Sequence, residues 1–332
     1  MRKIKRLTLT LCLLAMGLAA SAQPTPRHKL APTPPMGWMT WNLFKGDISD
    51  QLIRETADAM VENGFVEAGY KYIFIDDLWQ GGRDRHNNII PDPKKFPHGI
   101  KALADYVHSK GLKLGIYSDA AQLTCGGWTA SLGFEEQDAR TFASWGIDYL
   151  KYDYCNAPED SVTARRRYKR MADALQHSGR DIVLGICEWG QRQCEEWCES
   201  VGGQLWRTSF DVRDMWKDIV GQGGMGILDI VNVTAPIAHN ARHGQWPDMD
   251  MLVVGLNGTG GPSSDLGGVG CTYVEYQTQM SMWCMMSSVL ALSNDLRKLT
   301  PEDRRILLNK EIIAIDQDPL GKAAERLVNT DT

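Results

Sequence analysis

The stretch Tyr149-Leu150-Lys151-Tyr152-Asp153-Tyr154-Cys155 has the composition of a β-strand, yet it carries two charges two residues apart. Alternate side chains of a strand point to the same face, so Lys151 and Asp153 are predicted to lie side by side. A buried lysine and aspartate are costly unless they form a pair or hold a polar group. If this stretch ends a strand of a parallel sheet, Asp153 is the best candidate in the chain for a catalytic carboxylate.

A repeated pattern surrounds this stretch, in which an apolar run is followed by a loop, an amphipathic helix and a glycine. The runs are mostly apolar throughout, which is typical of parallel strands that are buried on both faces. Eight of them are predicted strands, at residues 36–41, 72–76, 112–117, 149–153, 182–187, 205–207, 249–254 and 289–293.

The helices of the first half end at glycines, which supply the left-handed residue just past a helix. The four clearest helices precede Gly64, Gly111, Gly146 and Gly179, and each leads into a predicted strand. No G-x-G-x-x-G motif follows the first strand, as a dinucleotide-binding sheet would require. The sequence therefore predicts an α/β fold of the (β/α)8 TIM-barrel type rather than a doubly wound sheet.

The amino terminus has the pattern of a signal peptide. Basic residues precede an apolar stretch that ends in Ala20-Ser21-Ala22, a small-x-small cleavage site. The apolar stretch is shorter than the roughly 20 residues of a membrane anchor. We therefore expect a signal peptide at 1–22, export to the periplasm or the medium, a Pro-rich linker at 23–34, a catalytic barrel at 35–321 and a tail at 322–332.

Charge and cysteine content exclude several classes of partner. The net charge of −5 offers no basic surface for nucleic acid or acidic membrane. Cys194 and Cys198 have the spacing of metal ligands, but no second pair and no nearby histidine accompany them, so we expect no metal and no other cofactor. The expected partner is a small neutral substrate, and the sequence leaves the oligomeric state open.

Charged and aromatic residues follow the ends of the predicted strands, where a TIM barrel places its active site. One such acid can simply cap the next helix, but capping does not readily explain eight strand ends of this kind. Eleven tryptophans supply flat apolar walls of the sort that suit sugar rings, although most are expected to pack in the barrel.

These features point to glycoside hydrolysis, which needs two carboxyl groups on either side of the bond that breaks. Asp153 is the predicted first carboxylate. Asp211 is the predicted second, with a pKa raised by partial burial and by an ionised Asp153 so that it can act as an acid. The alternative reading of Asp211 is an ordinary acid at the start of a helix.

Ordered motifs from residue 35 to residue 321 give this chain a family resemblance. They include Met36-Gly37-Trp38, Asp76-Asp77-x-Trp79, Phe96-Pro97-His98-Gly99, Lys151-Tyr152-Asp153, Cys187-Glu188-Trp189, Trp206-Arg207, Asp250-Met251-Leu252 and Ser293-Asn294-Asp295-Leu296-Arg297. The chain resembles glycoside hydrolase family 27, the α-galactosidases. Members of this family usually carry a β-sandwich after the barrel. We expect it to be missing from this chain, either because the module is absent or because the chain is a fragment whose tail at 322–332 begins a truncated module.

The resemblance implies a role for each matching residue. Asp153 would be the nucleophile of a retaining, double-displacement reaction and Asp211 the acid/base. The galactose pocket would be lined by Trp41, Asp76, Asp77, Tyr117, Lys151, Glu188, Arg207 and Asp250. The resemblance also implies a disulfide between Cys125 and Cys155, and we assign no pairing to Cys187, Cys194, Cys198, Cys271 or Cys284.

Departures from the family bear on specificity. Tyr154 and Phe210 are bulky and could narrow the side of the pocket that holds the leaving group. Glu188-Trp189 precede the loop that reads the 2-position of the sugar, and their size favours an unsubstituted 2-hydroxyl. The expected substrate is a terminal α-linked galactose on an oligo- or polysaccharide. The alternatives are an α-N-acetylgalactosaminidase, a β-L-arabinopyranosidase or a non-catalytic galactoside-binding barrel.

Overall fold

The computed structural model describes residues 26–220, 224–259 and 269–329. The predicted signal peptide, the first three residues of the predicted linker and the last three residues of the predicted tail lie outside the described residues. Among the helices that are described, none is both long enough and apolar enough to cross a membrane.

Eight strands form one sheet, and every pairing in it is parallel. In sequence order these are β1 (Met36–Met39), β2 (Tyr72–Phe74), β5 (Lys113–Asp119), β6 (Tyr149–Asp153), β7 (Val183–Cys187), β8 (Leu205–Arg207), β11 (Trp246–Asp248) and β12 (Leu290–Leu292). They lie in the order β11-β8-β7-β6-β5-β2-β1-β12. Two antiparallel pairs lie outside the sheet, formed by β3 (Gln80–Arg83) with β4 (Ile89–Pro91) and by β9 (Ile219–Val220) with β10 (Gly224–Met225).

The sheet is curled, because backbone contacts connect its first and last strands. The amide of Val289 donates to the carbonyl of Pro247 at 3.1 Å, and the amide of Leu252 donates to the carbonyl of Ala291 at 2.8 Å. Leu252 also forms a parallel bridge with Leu292. The carboxyl ends of the strands therefore face a common region.

One predicted strand is misplaced. The sequence predicted the seventh strand at 249–254, whereas the structure has it at Trp246–Asp248. Pro247 argues against a strand in sequence reading because it lacks an amide hydrogen. The apolar run that follows is buried instead around the end of the sheet. The other seven strands lie where they were predicted, within three residues at either end.

The helices that separate the strands include all four that were predicted. They are α1 (Trp41–Phe44), α2 (Asp50–Glu62), α3 (Phe65–Ala68), α4 (Gly99–Ser109), α5 (Glu135–Trp145), α6 (Ser161–Gln176), α7 (Cys194–Val201), α8 (Ile227–Thr234), α9 (Tyr273–Met285), α10 (Pro301–Leu307) and α11 (Lys310–Asp316). Helix α2 shows how sequence fixes such an element. Its start is capped by the Ser49 side chain, which accepts from the amide of Leu52, and left-handed Gly64 follows its end.

Aromatic side chains fill the interior of the sheet below the carboxyl ends of the strands. The rings of Phe74 and Tyr149 are 4.7 Å apart, and Tyr72 stacks on Phe74 at 5.3 Å. Glycines at Gly115 and Gly185 leave the room that these rings occupy. The next residues outward on the same faces are polar, so the aromatic layer forms the floor of a polar site.

Residues before the first strand pack against the opposite end of the sheet. The indole of Trp246 donates to the carbonyl of Ala31 at 2.8 Å, and the guanidinium of Arg27 donates to the carbonyl of Gly202 at 2.6 Å. Ala31 is buried. This part of the predicted linker therefore covers the amino ends of the strands, away from the candidate site.

Candidate active site

A cavity of about 400 Å³ opens at the carboxyl ends of the strands and holds most of the predicted site residues. It is lined by Trp41, Asp76, Asp77, Tyr117, Cys125, Lys151, Asp153, Cys155, Trp189, Phe210, Asp211, Arg213, Gly224 and Met251. Three predicted lining residues, Glu188, Arg207 and Asp250, are not in this set and are buried. A larger cleft of about 640 Å³ lies on the outer surface at α5 and α6, but it contains none of the predicted residues.

Strand β6 delivers Lys151 and Asp153 to the cavity, as the alternation of a strand requires. Lys151 pairs with Asp76 of the β2 loop at 2.7 Å and not with Asp153. Burial alone would lower the pKa of Lys151, but the carboxylate of Asp76 outweighs it and raises the pKa well above its usual value. Lys151 is therefore a permanent positive charge in the wall of the cavity.

Asp153 is buried and held in place by two hydrogen bonds. The hydroxyl of Tyr117 donates to it at 3.0 Å, and the amide of Tyr154 donates at 2.9 Å. Burial raises the pKa of Asp153 to about 6, and the negative charge of Asp211 contributes to the rise. The opposing attraction of Lys151 and the two hydrogen bonds keep the rise moderate.

Arg207 links the second predicted carboxylate to a third one. Its guanidinium is buried and donates to Asp211 at 2.8 Å and to Asp250 at 2.6 Å. Asp250 has a left-handed backbone (φ 71°) and also accepts from the amide of Val212 at 2.7 Å. Burial raises the pKa of Asp250 to about 6 against the attraction of Arg207. Arg207 and Asp250 thus form the buried support of Asp211.

The prediction of a raised pKa for Asp211 is wrong for the free site. Burial pushes the pKa of Asp211 upward, but the positive charges of Arg207 and Lys151 outweigh it and lower the pKa. Its side chain also keeps 47% of its surface exposed, which limits the loss of hydration. No pattern in the sequence indicated that Arg207, four residues earlier, would pair with this carboxylate.

A second buried pair lies behind the cavity. Arg192 donates to Glu188 at 2.5 Å and lies 4.9 Å from the centre of the Tyr154 ring. Burial raises the pKa of Glu188 to about 7, although Arg192 attracts its charged form. Tyr154 is buried and stacks on Tyr168 at 5.7 Å, so it does not narrow the cavity as the sequence suggested.

Phe210, in contrast, does lie at the cavity. It lines the wall together with Trp189, and the two rings are 6.3 Å apart and nearly parallel. The expectation that Phe210 would restrict one side of the pocket therefore agrees with its position.

The disulfide between Cys125 and Cys155 is confirmed, with Cα atoms 5.1 Å apart. It joins the loop after β5 to the loop after β6. The amide of Gly126, next to the bridge, donates to Asp77 at 2.8 Å, so the disulfide also fixes that carboxylate. The cysteines whose pairing the sequence left open, Cys187, Cys194, Cys198, Cys271 and Cys284, are free thiols.

One group of four side chains has the spacing of a metal site. It consists of Asp119, Asp153, Cys125 and Cys155, whose ligand atoms lie within 4.8 Å of one another. The two sulfur atoms are bonded to each other, so neither offers a thiolate to a metal ion. Asp153, Cys125 and Cys155 line the cavity, and Asp119 is buried.

Sequence reasoning missed Arg213, Gly224 and Met251 as lining residues. Arg213 and Met251 each lie within two residues of a predicted site residue, Arg213 after Asp211 and Met251 after Asp250, whereas Gly224 has no such neighbour. An irregular loop has no fixed alternation, so neighbouring positions could not be divided into those that face the cavity and those that do not. The only available signal was proximity in sequence.

Comparisons with known proteins agree with this geometry. The family model described as "Alpha galactosidase A" matches residues 33–318. The α-galactosidase A of Cellvibrio japonicus is 44% identical over 319 residues, which is 95% of this chain and 74% of that protein. A Saccharomyces cerevisiae α-galactosidase solved with raffinose is 35% identical with a TM-score of 0.84, covering 91% of this chain and 68% of that one.

A structure from Bacteroides fragilis, whose assignment as an α-galactosidase/melibiase is provisional, is 51% identical. Its TM-score is 0.88, and the match covers 92% of this chain. This chain spans 64% of that protein. The family model covers most of the described residues, and the Cellvibrio relative is similar over nearly the whole chain. The chain therefore belongs to the α-galactosidase family, glycoside hydrolase family 27.

Proposed function

We propose that this protein is an exported, cofactor-free α-galactosidase that removes terminal α-linked galactose with retention of configuration. One observation carries the proposal: Asp153, at the end of β6, and Asp211, in the loop after β8, line the same cavity. The raffinose in the yeast relative supports an α-galactoside as substrate. The disulfide supports export to an oxidising compartment, periplasmic or extracellular.

We infer further that the curled sheet is the (β/α)8 barrel of the family. The contacts between the β11 and β12 regions support closure. In such a barrel the reacting groups come from the ends of several strands, and Trp41, Asp76, Lys151 and Asp211 are distributed in this way. Sugar hydroxyls would find acceptors in Asp76 and Asp77 and a donor in Lys151.

In the proposed reaction, Asp153 attacks the anomeric carbon and the glycosidic bond breaks as Asp211 gives its proton to the leaving oxygen. Water then attacks the glycosyl ester, Asp211 removes its proton, and Asp153 leaves as a carboxylate. Tyr117 and the amide of Tyr154 hold Asp153 in one orientation, which favours attack from a fixed direction.

The lowered pKa of Asp211 suits the second half of this reaction, in which it acts as a base. The first half needs a proton on Asp211, whereas in the free site the proton binds more tightly to Asp153. At a pH between the two apparent pKa values of the pair, the two carboxyls together bind one proton. The reactive form is the one in which this proton is on Asp211 and Asp153 is ionised. A bound sugar that excludes water from Asp211 would favour that form.

Replacement of each carboxylate tests the proposal. Asp153→Ala is expected to abolish turnover of 4-nitrophenyl α-D-galactoside while the protein still folds. Asp211→Ala is expected to slow melibiose far more than the nitrophenyl substrate, because a good leaving group needs little protonation. Proton NMR of the first product should show α-galactose. An equal loss with both substrates would remove Asp211 from the acid role, and β-galactose as first product would exclude retention.

The specificity alternatives are tested with the same assay. We propose an unsubstituted 2-hydroxyl, supported by the bulk of Trp189 and its stacking on Phe210 at the cavity wall. The galactoside is therefore expected to be cleaved in preference to the N-acetylgalactosaminide and the β-L-arabinopyranoside. A binding protein without catalysis would release no nitrophenol from any of them.

A further inference from the structure

Unlike three other cations at the site, Arg213 forms no ion pair with a carboxylate among the described residues, although the charge of Asp211 acts on it. Each of the others holds at least one: Lys151 holds Asp76, Arg207 holds Asp211 and Asp250, and Arg192 holds Glu188. Arg213 lines the cavity, and its Nε and Nη1 atoms are buried without a hydrogen-bond partner among the described residues. A guanidinium in the cavity wall that forms no ion pair with a described residue is suited to a carboxylate on a bound ligand.

The surrounding backbone is shaped around this guanidinium. The amide of Arg213 donates to the carbonyl of Met225 at 2.8 Å, which fixes its position beside β10. The absence of a side chain at Gly224 leaves room for the guanidinium, because a Cβ there would lie 2.0 Å from Nε of Arg213. Arg213 is thus a built part of the cavity wall and not a mobile surface side chain.

A second cation lies near Arg213. Lys45 follows α1, in the loop after β1, and is buried. Burial lowers the pKa of Lys45, and repulsion by the charge of Arg213 lowers it further. Lys45 and Arg213 are therefore close enough for their charges to repel each other.

The position of Arg213 defines which part of a substrate it meets. Asp211, two residues earlier, is the proposed donor to the oxygen between galactose and the unit that leaves. Arg213 and Asp211 both line the cavity, and their charges act on each other, so the two side chains lie in the same part of its wall. Resting on the proposed function, we propose that Arg213 binds a carboxylate on the departing unit, so that the enzyme prefers galactose linked to an acidic sugar.

A matched pair of substrates tests this. Melibiitol has a neutral open-chain glucitol as leaving unit, and melibionate has the corresponding open-chain gluconate, so the two substrates differ in the carboxylate alone. Wild-type protein is expected to show a kcat/KM about tenfold higher for melibionate, as a charged hydrogen bond would give. Arg213→Gln is expected to abolish the preference, and Arg213→Lys to keep part of it because the charge remains. Galactose release is the measurement.

The ratio of the kcat/KM values for the two substrates cancels any effect on Asp211 that the substitutions of Arg213 cause. Arg140→Gln, an exposed cation on α5, is the matched control and is expected to keep the wild-type ratio. The preference should fall as salt rises, because screening weakens the attraction. If Arg213→Gln does not fold, Arg213→Lys and the salt dependence decide.

A second assay covers a carboxylate on a closed sugar ring. Glucuronate is expected to inhibit cleavage of 4-nitrophenyl α-D-galactoside more strongly than glucose, in wild type but not in Arg213→Gln. The proposal is overturned if neither assay shows a preference for the acidic compound. It is also overturned if Arg213→Gln keeps the preference of the wild type. Failure to cleave the nitrophenyl galactoside at all would instead overturn the proposed function.

Discussion

Asp153 and Asp211 have opposite electrostatic surroundings although they line one cavity. Asp153 is buried, and its pKa rises to about 6 mainly because its charged form loses hydration. Asp211 is half exposed and paired with Arg207, and its pKa falls. The pair of Asp153 and Asp211 therefore keeps one proton from acidic pH up to about pH 6 and loses it above that pH.

This proton predicts a pH dependence with a definite sign. For melibiose, which needs an acid, kcat/KM is expected to fall as pH rises through about 6, because the pair loses its only proton. For 2,4-dinitrophenyl α-D-galactoside, which needs no acid, kcat/KM is expected to rise through the same pH, because only an ionised Asp153 is required. Profiles from pH 4 to 8 check both. Parallel profiles for the two substrates would contradict the assignment.

At the scale of single elements, the loop after β7 contains several residues with left-handed backbones. Trp189, Arg192 and Gln193 have left-handed backbones with φ of 53°, 56° and 53°. Such conformations are costly for residues other than glycine and persist where the surroundings fix them. Here the Arg192–Glu188 pair and the hydrogen bond from Trp197 to the carbonyl of Arg192 do so.

Gly190 in this loop gives a test of that constraint. It is left-handed (φ 71°), and a Cβ there would overlap the carbonyl of Thr208 in the neighbouring loop. Gly190→Ala is expected to cost roughly 1–3 kcal/mol of stability and to lower activity strongly, because the loop must shift and carry Trp189 with it. Denaturant unfolding and kcat/KM are the measurements.

The control for this change is Gly133→Ala. Gly133 is also left-handed (φ 89°), but a Cβ there meets no atom within 4 Å. It should cost only the backbone strain and leave kcat/KM close to wild type. If Gly190→Ala behaves like Gly133→Ala, the close approach of the two loops does not matter for the site.

At the scale of the whole molecule, the aromatic layer inside the sheet couples the strands that carry the site. Phe74 of β2 and Tyr149 of β6 meet across Gly115 of β5, and the polar residues of these strands lie one step outward. Close packing makes such interiors sensitive to a single added methyl group. The positions of Asp76, Lys151 and Asp153 therefore depend on this floor.

Gly115→Ala tests the dependence. A Cβ at this position would lie 2.7 Å from Phe74 and 3.2 Å from Tyr149, both side-chain contacts. The substitution is expected to cost roughly 1–3 kcal/mol in the free energy of unfolding. In a Phe74→Leu background the same methyl should cost less, since the smaller side chain leaves room. Equal costs in both backgrounds would show that Phe74 does not set the limit.

The linear sequence by itself determined the parallel strands, the four glycine-ended helices and the positions of Asp76, Lys151 and Asp153, because alternation and helical periodicity are local properties. It did not reveal the strand Trp246–Asp248, because Pro247 has no amide hydrogen and proline is disfavoured in strands, whereas hydrogen bonds from other parts of the chain hold this strand in the sheet. The pairing of Arg207 with Asp211 and Asp250, the lowered pKa of Asp211 and the unpartnered donors of Arg213 were decided only by the tertiary structure. The reason is that charges and hydration at a site depend on which loops fold together, and irregular loops carry no periodicity to predict this.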